Sequence, residues 1–586
     1  MKKKRIVFIV VTNIILFAVM LYQLSQLQLF SPEQYGQNDV NLLEQSVKQR
    51  SHQLVLADGR GTIVDRNGKH LTNEMIYDVV VFPVPDDVDI NYGEIARKLQ
   101  VEQQQLQDTW QSLTSPTFIT DLFQEVQITK ALYNELQQND VLGLIPIERI
   151  KQGDPQIAEH FIGLVRNNHQ IFFDRYENHH EHDIPKPVGI SGLQKTFDSF
   201  LLSNNDERLL FHVDGRGKPL YGFHLLYAGH DDGFYPVKME TTLNEDIQQK
   251  AEQLLSQNDI EQGGLVLLDI MSRDVLAMVS KPSINKENPY ENGAMKNQML
   301  TAHFPGSVFK TVVAAAAIEE GIVREGKTFP CNLDLYGENE DPRQLGELTF
   351  EESFALSCNR AFALLGHDLM GHDRNSLSDM AERLGLTKYV GWRGDVFRLR
   401  EFKQFPEEER GKVWGDDYDR NSERAIYQTS IGQKEVKVTP LAVANMMATI
   451  ADNGVVKQVR GVSRIQYKNG AVMKQFPQQK MNIGSRINSN TAEVLSYLLH
   501  LVTETGTARS LSGLEVAGKT GTAELKMSAD EEGAMGHHYW FGGFFPVSNP
   551  KYAMVVVDLY QTEKTEAHLH VYKDMVQFLY EKEQLN

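Results

Sequence analysis

The chain is 586 residues long, too long for one ordinary hydrophobic core, so two or more domains are expected. Its hydrophobic fraction of 41% is that of a globular protein, and its formal charge of −19 argues against a nucleic-acid partner, which would need a basic surface. Two cysteines, Cys331 and Cys358, exclude a disulfide-stapled scaffold but not a single bridge, and they are read as two unpaired thiols.

In chain order, Lys2-Lys3-Lys4-Arg5 precedes an apolar run from Ile6 to Tyr22, broken only by Thr12 and Asn13 and extended by Leu24, Leu27 and Leu29. That length is near the lower limit for one membrane span, and the basic cluster places its start in the cytoplasm. No small-x-small cleavage site follows, so an uncleaved anchor is expected rather than a signal peptide. The expectation is a cytoplasmic tail (1–5), a transmembrane anchor (6–29) and everything later outside the membrane.

Residues Glu33 to Gln53 are Gln-rich and read as a helical connector. Val55 to Lys69 reads as strand, turn, strand, with Asn67-Gly68 as the turn. Val79 to Pro83 is another strand, Tyr92 to Leu136 has helical spacing, and strands and short helices continue to about Pro236. The stretch His169 to Asp183 holds His169, His179, His180 and His182, but lacks the helical two-histidine spacing that frames zinc. It reads as a solvated loop, and no metal is expected.

The texture changes at Val237. Asn244 to Gln257 is an amphipathic helix, and Gly264–Asp269 and Asp274–Val279 are strands joined by a short polar turn. A largely helical middle runs from Leu348 to Gly454, with a loop-rich segment from Trp392 to Arg424. Val516 to Glu524 resumes strand character, Tyr539–Phe545 and Tyr552–Tyr560 form a hairpin, and Ala567–Lys582 is a last helix. Strands at both ends with helices between give an α+β domain over 237–586, an antiparallel sheet flanked by helices. A mixed α/β domain over 30–236 precedes it.

Within that second domain, Phe304-Pro305-Gly306-Ser307-Val308-Phe309-Lys310 opens a run apolar on every side, which belongs in a domain interior. Ser307 and Lys310 alone break the pattern, and their spacing puts them on one face. Low-dielectric surroundings and a positive helix end both disfavour an ammonium, so a neutral Lys310 amine could take the Ser307 proton. The spacing by itself is weak, since Ser283–Lys286 and Ser548–Lys551 share it in loop-like contexts. Two further motifs follow in order: Ser357-Cys358-Asn359, and Lys519-Thr520-Gly521 on a predicted strand. The middle one is worthless alone, because Ser203–Asn205, Ser256–Asn258 and Ser283–Asn285 also match it.

Together the three motifs resemble the set found in penicillin-binding proteins and class A β-lactamases. The chain resembles a class B penicillin-binding protein over nearly its whole length, and the resemblance leaves open a Bacillus-type, sporulation-associated member among division, elongation and sporulation roles. Arg60 to Gly68 resembles the opening of the family's pedestal, or dimerisation, domain, and Gly189 to Gln194 its second signature, with glutamine where glutamate is usual. Thr503 to Ala508 and Tyr539 to Phe544 match stretches flanking the lysine strand. Ile431-Gly432-Gln433-Lys434 departs from the usual Gly-Gln-Gly.

The resemblance implies a penicillin-binding, serine β-lactamase-like transpeptidase domain that cross-links peptidoglycan stem peptides and is acylated by β-lactams. Ser307 would attack the penultimate D-alanine carbonyl, Lys310 accept its proton, Ser357 relay it to the leaving group, and Asn359 bind the peptide backbone. Lys519 would add positive charge, and Thr520, Gly521 and Thr522 would hold the substrate carboxylate and the oxyanion. No cofactor is implied. A membrane-embedded glycan polymerase is the implied partner, and the pedestal leaves a homodimer open. Two other readings compete: a β-lactam-hydrolysing or sensing protein, and a catalytically silent scaffold for wall synthesis. No well-framed glutamate between Asn359 and Lys519 stands out to activate water, and the intact Ser307, Lys310 and Lys519 argue against the scaffold.

Overall fold

The computed structural model describes residues 2–26, 51–57, 59–72, 74–84, 89–139, 142–151, 153–176, 186–202, 206–213, 226–228, 233–526 and 535–584. These fall into two compact units, one of Met1–Arg60, Glu74–Lys151 and Ser203–Asp232, the other of Gly61–Asn73, Gln152–Leu202 and Gly233–Asn586. The segments Gly61–Asn73 and Gln152–Leu202 thus pack in the same unit as the C-terminal half of the chain.

The first unit opens on a helix, Lys2–Ser25, whose apolar side chains are exposed along its length. Residues Lys3–Ser25 have a mean hydropathy of 2.4, long and apolar enough to cross a membrane. The expected helical connector lies mostly outside the described residues, and its end differs: Ser51–Ala57 is a strand, paired antiparallel with Glu207–His212. A second sheet sets Glu74–Val81 between Thr117–Phe118 and Leu144–Lys151, both antiparallel to it. Helices Tyr92–Leu99, Gln103–Gln111 and Lys130–Asn139 account for the helical spacing seen there. Trp110 is buried among them and donates its indole N–H to Phe82 O at 2.8 Å, which satisfies its one polar atom.

The second unit carries the larger core. Its labelled elements are α1 (Glu245–Gln257), β1 (Gly263–Asp269), β2 (Val275–Lys281), α2 (Lys310–Glu319), α3 (Asn359–His372), α4 (Pro440–Ala451), α5 (Ser489–Glu504), β3 (Ala517–Lys526), β4 (Met535–Phe545), β5 (Tyr552–Gln561) and α6 (Ala567–Gln584). The five strands form one sheet in the order β2-β1-β5-β4-β3, every pair antiparallel. Strand β1 is buried along almost its whole length, as a strand covered on both faces must be. Asn244 caps α1 by accepting the Ile247 N–H, and Pro440 opens α4 behind the Thr439 cap.

Three findings differ from the sequence reading. A four-stranded sheet joins Thr62–Val64, Lys238–Thr241, Val462–Gln466 and Val472–Gln475, with a parallel pairing of residues far apart in the chain. The loop-rich segment from Trp392 contains a hairpin, Arg393–Val396 with Leu399–Lys403. His169 opens a helix (His169–Arg175) capped by the Asn168 side chain rather than lying in a loop, while His179, His180 and His182 fall outside the described residues.

The cysteines also differ: Cys331 and Cys358 are bonded to each other rather than unpaired, with Cα atoms 5.8 Å apart. The strand Thr328–Pro330 pairs with Glu347–Thr349, and Thr349 then starts the short helix Phe350–Ala355 through a reciprocal capping box with Glu352. That path returns the chain from Cys331 to Cys358, a closure of which sequence spacing carries no trace.

Candidate active site

Ser307 does not stand on the α-helix but in a 3-10 turn, Gly306–Phe309, and Lys310 is the first residue of α2. Residues three apart eclipse in a 3-10 turn, which strengthens the expected sharing of one face. Lys310 to Ala317 are all buried, so α2 is an interior helix and the Lys310 side chain is itself shielded from solvent.

The turn is held against two other segments by close backbone approach. Gly306 has φ +52° and donates its N–H to Gly432 O at 3.1 Å; a Cβ there would stand 2.3 Å from Thr522 O. A Cβ on Gly521 would meet Pro305 O at the same distance, 2.3 Å, so β3 can lie along the serine turn only with glycine at this position.

The three motifs converge. Lys310 Nζ is 2.7 Å from Asn359 Oδ1, 3.0 Å from Ser357 O and 3.1 Å from Ser357 Oγ. Lys519 Nζ donates to the same Ser357 Oγ at 3.1 Å and to Thr520 O at 3.2 Å. Lys310 and Lys519 are both fully buried. Burial first, then the neighbouring Lys519 and Arg343 cations, hold the Lys310 amine well below the usual lysine range. Burial and Arg343 together bring Lys519 down to about 7.

Hydrogen-bond valence follows from that. A neutral amine has two N–H donors and one lone pair. Ser357 O and Asn359 Oδ1 can only accept, so they take two of the Lys310 N–H groups; the third contact, with Ser357 Oγ, is one a neutral amine would make through its lone pair. The Ser357 hydroxyl thus lies between the two amines, with Lys310 Nζ and Lys519 Nζ each 3.1 Å from its Oγ. Among the described residues Ser307 Oγ makes no hydrogen bond with protein, so the expected direct Ser307–Lys310 bond is not formed here. Ser307, Ser357, Asn359, Thr520, Gly521 and Thr522 instead line one cavity of about 1030 Å³. Strand alternation explains the split along β3: Lys519 and Gly521 are buried toward the serine turn, while Thr520 and Thr522 are more exposed.

Several cavity residues were not assigned roles from the sequence. Thr507 shares a hydrogen bond of 2.6 Å with Thr520, oxygen to oxygen, and its N–H is held by Ala355 O. Arg343 pairs with Asp341 and donates to both Leu356 O and Ser357 O at 3.3 Å. Ser357 has φ +56°, a left-handed conformation that costs a non-glycine residue about 1–2 kcal/mol. Arg343 and Lys310 both hold the carbonyl of that strained residue. Arg343 sits on irregular backbone, where no periodicity could flag it; Thr507 lay within a stretch already matched to the family.

The penicillin-binding protein transpeptidase domain, as a family model, matches residues 263–576, more than half of the chain. The chain belongs to the penicillin-binding protein transpeptidase family. The penicillin-binding protein dimerisation domain matches residues 57–221. Among curated relatives, the peptidoglycan D,D-transpeptidase FtsI of Escherichia coli is 27% identical over 389 residues, 63% of this chain and 58% of that protein. The chain thus spans 58% of the length of that relative. The peptidoglycan D,D-transpeptidase PbpA of Mycobacterium tuberculosis is 27% identical over 378 residues, 59% of this chain and 72% of its own length. A chain from a solved peptidoglycan synthase complex shares the fold, with a TM-score of 0.64 at 22% identity over 98% of both chains.

Proposed function

We propose that this protein is a serine-type peptidoglycan D,D-transpeptidase, anchored by its N-terminal helix with the catalytic unit outside the cytoplasm. The observation that carries the reading is the convergence of Lys310 and Lys519 on the Ser357 hydroxyl, which lines the same cavity as Ser307.

The penultimate D-alanine carbonyl of a stem peptide enters that cavity, and its oxyanion forms between the backbone N–H groups of Ser307 and Thr522. Such donors are worth about 3 kcal/mol each in acyl-transfer enzymes. Substrate displaces the resting contact, the Lys310 lone pair turns from Ser357 to Ser307, and Ser307 Oγ bonds to the carbonyl carbon as its proton passes to Lys310. The proton continues through Ser357 to the departing D-alanine amine. Asn359 holds the peptide backbone, and Thr520 and Thr522, beside the Lys519 cation, receive the terminal carboxylate. The amine of a second stem peptide then resolves the ester, forming the cross-link and returning Ser307.

The basic cluster before the Lys3–Ser25 helix supports a cytoplasmic N-terminus. We read residues 6–29 as the anchor, 30–236 as the pedestal and 237–586 as the transpeptidase region. A glycan polymerase in the same membrane is the partner this chemistry requires, since cross-linking acts on newly made strands. The pedestal leaves a homodimer open.

Incubating the protein with a stem pentapeptide and an acceptor amine tests the reading. Release of D-alanine with formation of the amide product is expected, and Ser307→Ala should abolish both. Release of D-alanine without transfer would favour a hydrolase, and no release would favour a scaffold.

A further inference from the structure

Away from the Ser307 cavity, the second unit holds a hollow of about 380 Å³ lined by Lys388, Tyr389, Arg393, Arg410 and Gln458. None of these residues lines the serine cavity. Cations gather around its phenol ring: Arg410 Cζ lies 5.8 Å from the Tyr389 centroid, and Lys403 Nζ, beside the hollow rather than in its lining, 4.0 Å from it. On a chain whose formal charge is −19, such a concentration is a local reversal of sign.

The charges are balanced only in part by protein. Lys388 pairs with Glu382 at 2.9 Å, and Arg393 with the exposed Glu401 at 3.6 Å. Among the described residues Lys403 and Arg410 have no acidic partner, and Arg410 makes only a 3.4 Å bond to Thr387 O. The nearby Glu408 is buried and spends its two oxygens on the Val390 and Gly391 N–H groups, at 2.7 and 2.9 Å. Burial pushes its pKa up to about 7, so it offsets the cations only in part.

The second observation is a built donor. Gln458 is 9% exposed, and its Oε1 accepts the Arg393 N–H at 3.1 Å. That bond fixes which way the amide faces. Its Nε2 makes no hydrogen bond with protein among the described residues, and the side chain lines the hollow. With Oε1 engaged, the Gln458 amide leaves the hollow its N–H₂ as a further donor.

We propose that this hollow is a binding site for a phosphate-bearing ligand, a phosphomonoester or phosphodiester, separate from the Ser307 cavity. Donors converging from Lys388, Arg393, Arg410 and Gln458 suit a tetrahedral oxyanion better than a planar carboxylate, which one arginine fork satisfies. The volume leaves room for a substituent on the phosphate, as in a polyol-phosphate polymer or a lipid headgroup outside the membrane.

The test uses the full-length protein in neutral detergent, with thermal unfolding followed against inorganic phosphate, glycerol phosphate and bis-glycerol phosphodiester, each matched to chloride in ionic strength. A saturable stabilisation by one of the three is expected, and which one binds tightest sorts the free ion from the ester sources. The double variant Lys403→Gln/Arg410→Gln, at a half-buried and an exposed position, should weaken binding by about tenfold or more, as loss of charge-assisted bonds predicts. Gln458→Leu should weaken it as well. Penicillin labelling of Ser307 should stay unchanged in all variants, which verifies their folding. Equal affinity in wild type and the double variant, no saturable shift with any probe, or acetate competing as well as phosphate would each overturn the proposal.

Discussion

In the proposed reaction Lys310 carries the chemistry because it is a lysine where lysines are hardest to charge. Its amine is fully buried beside Lys519 and Arg343, and each feature disfavours the ammonium. A base works only when deprotonated, so acylation should rise with pH through the lowered Lys310 pKa and level off well below 10.5, the ordinary lysine value. Lys519 works in the opposite sense. Its role needs the proton, so the rate should fall as pH climbs past about 7 and that cation discharges. The two lysines share Ser357 Oγ, so the limbs belong to the pair rather than to either residue. Second-order acylation by a labelled penicillin from pH 5 to 10 checks this: a bell is expected, and a single rise near the ordinary lysine value would contradict it. The placement of Lys310 at the buried start of a helix, three residues after Ser307, was legible from spacing and surroundings. The position of Ser357 Oγ between Lys310 and Lys519 was not, because it depends on three segments meeting.

At the scale of elements, the site depends on how closely β3 can run beside the 3-10 turn. Gly521 is the contact: Pro305 O and Val308 Cγ2 would lie 2.3 and 2.9 Å from an added Cβ. Gly521→Ala should therefore cost about 1–3 kcal/mol, as overpacking does, and should slow acylation while secondary structure is kept. Calorimetry with penicillin labelling measures both, and an unchanged midpoint with full labelling would show that the turn and strand are looser than described. The disulfide makes a second prediction. It closes a loop of 27 residues and ends on Cys358, between Ser357 and Asn359. Chain entropy sets the stabilisation at about 3 kcal/mol, so the double change Cys331→Ala/Cys358→Ala should lower the unfolding midpoint of the second unit. Strands β1 to β5 and helices α1 and α6 could be read from periodicity, since each buries one regular pattern. The hairpin Arg393–Lys403 and the cysteine bridge could not, because alternation is weak in the first and the second is a matter of closure in space.

At the scale of the molecule, the chain combines a membrane-length helix, a first unit with its own small core, and a second unit built on a five-stranded sheet. The α+β character of the C-terminal region followed from strands at its two ends and helices between. The recruitment of Gly61–Asn73 and Gln152–Leu202 into that unit did not, since parallel pairing of Thr62–Val64 with Lys238–Thr241 links residues that no local pattern connects. The central claim is that this assembly places one serine for acylation. It is tested most directly by reacting the full-length protein in membranes with penicillin, digesting it and locating the adduct by mass spectrometry. The account predicts a stable penicilloyl group on Ser307 alone. An adduct on another residue, or none at all, would contradict it.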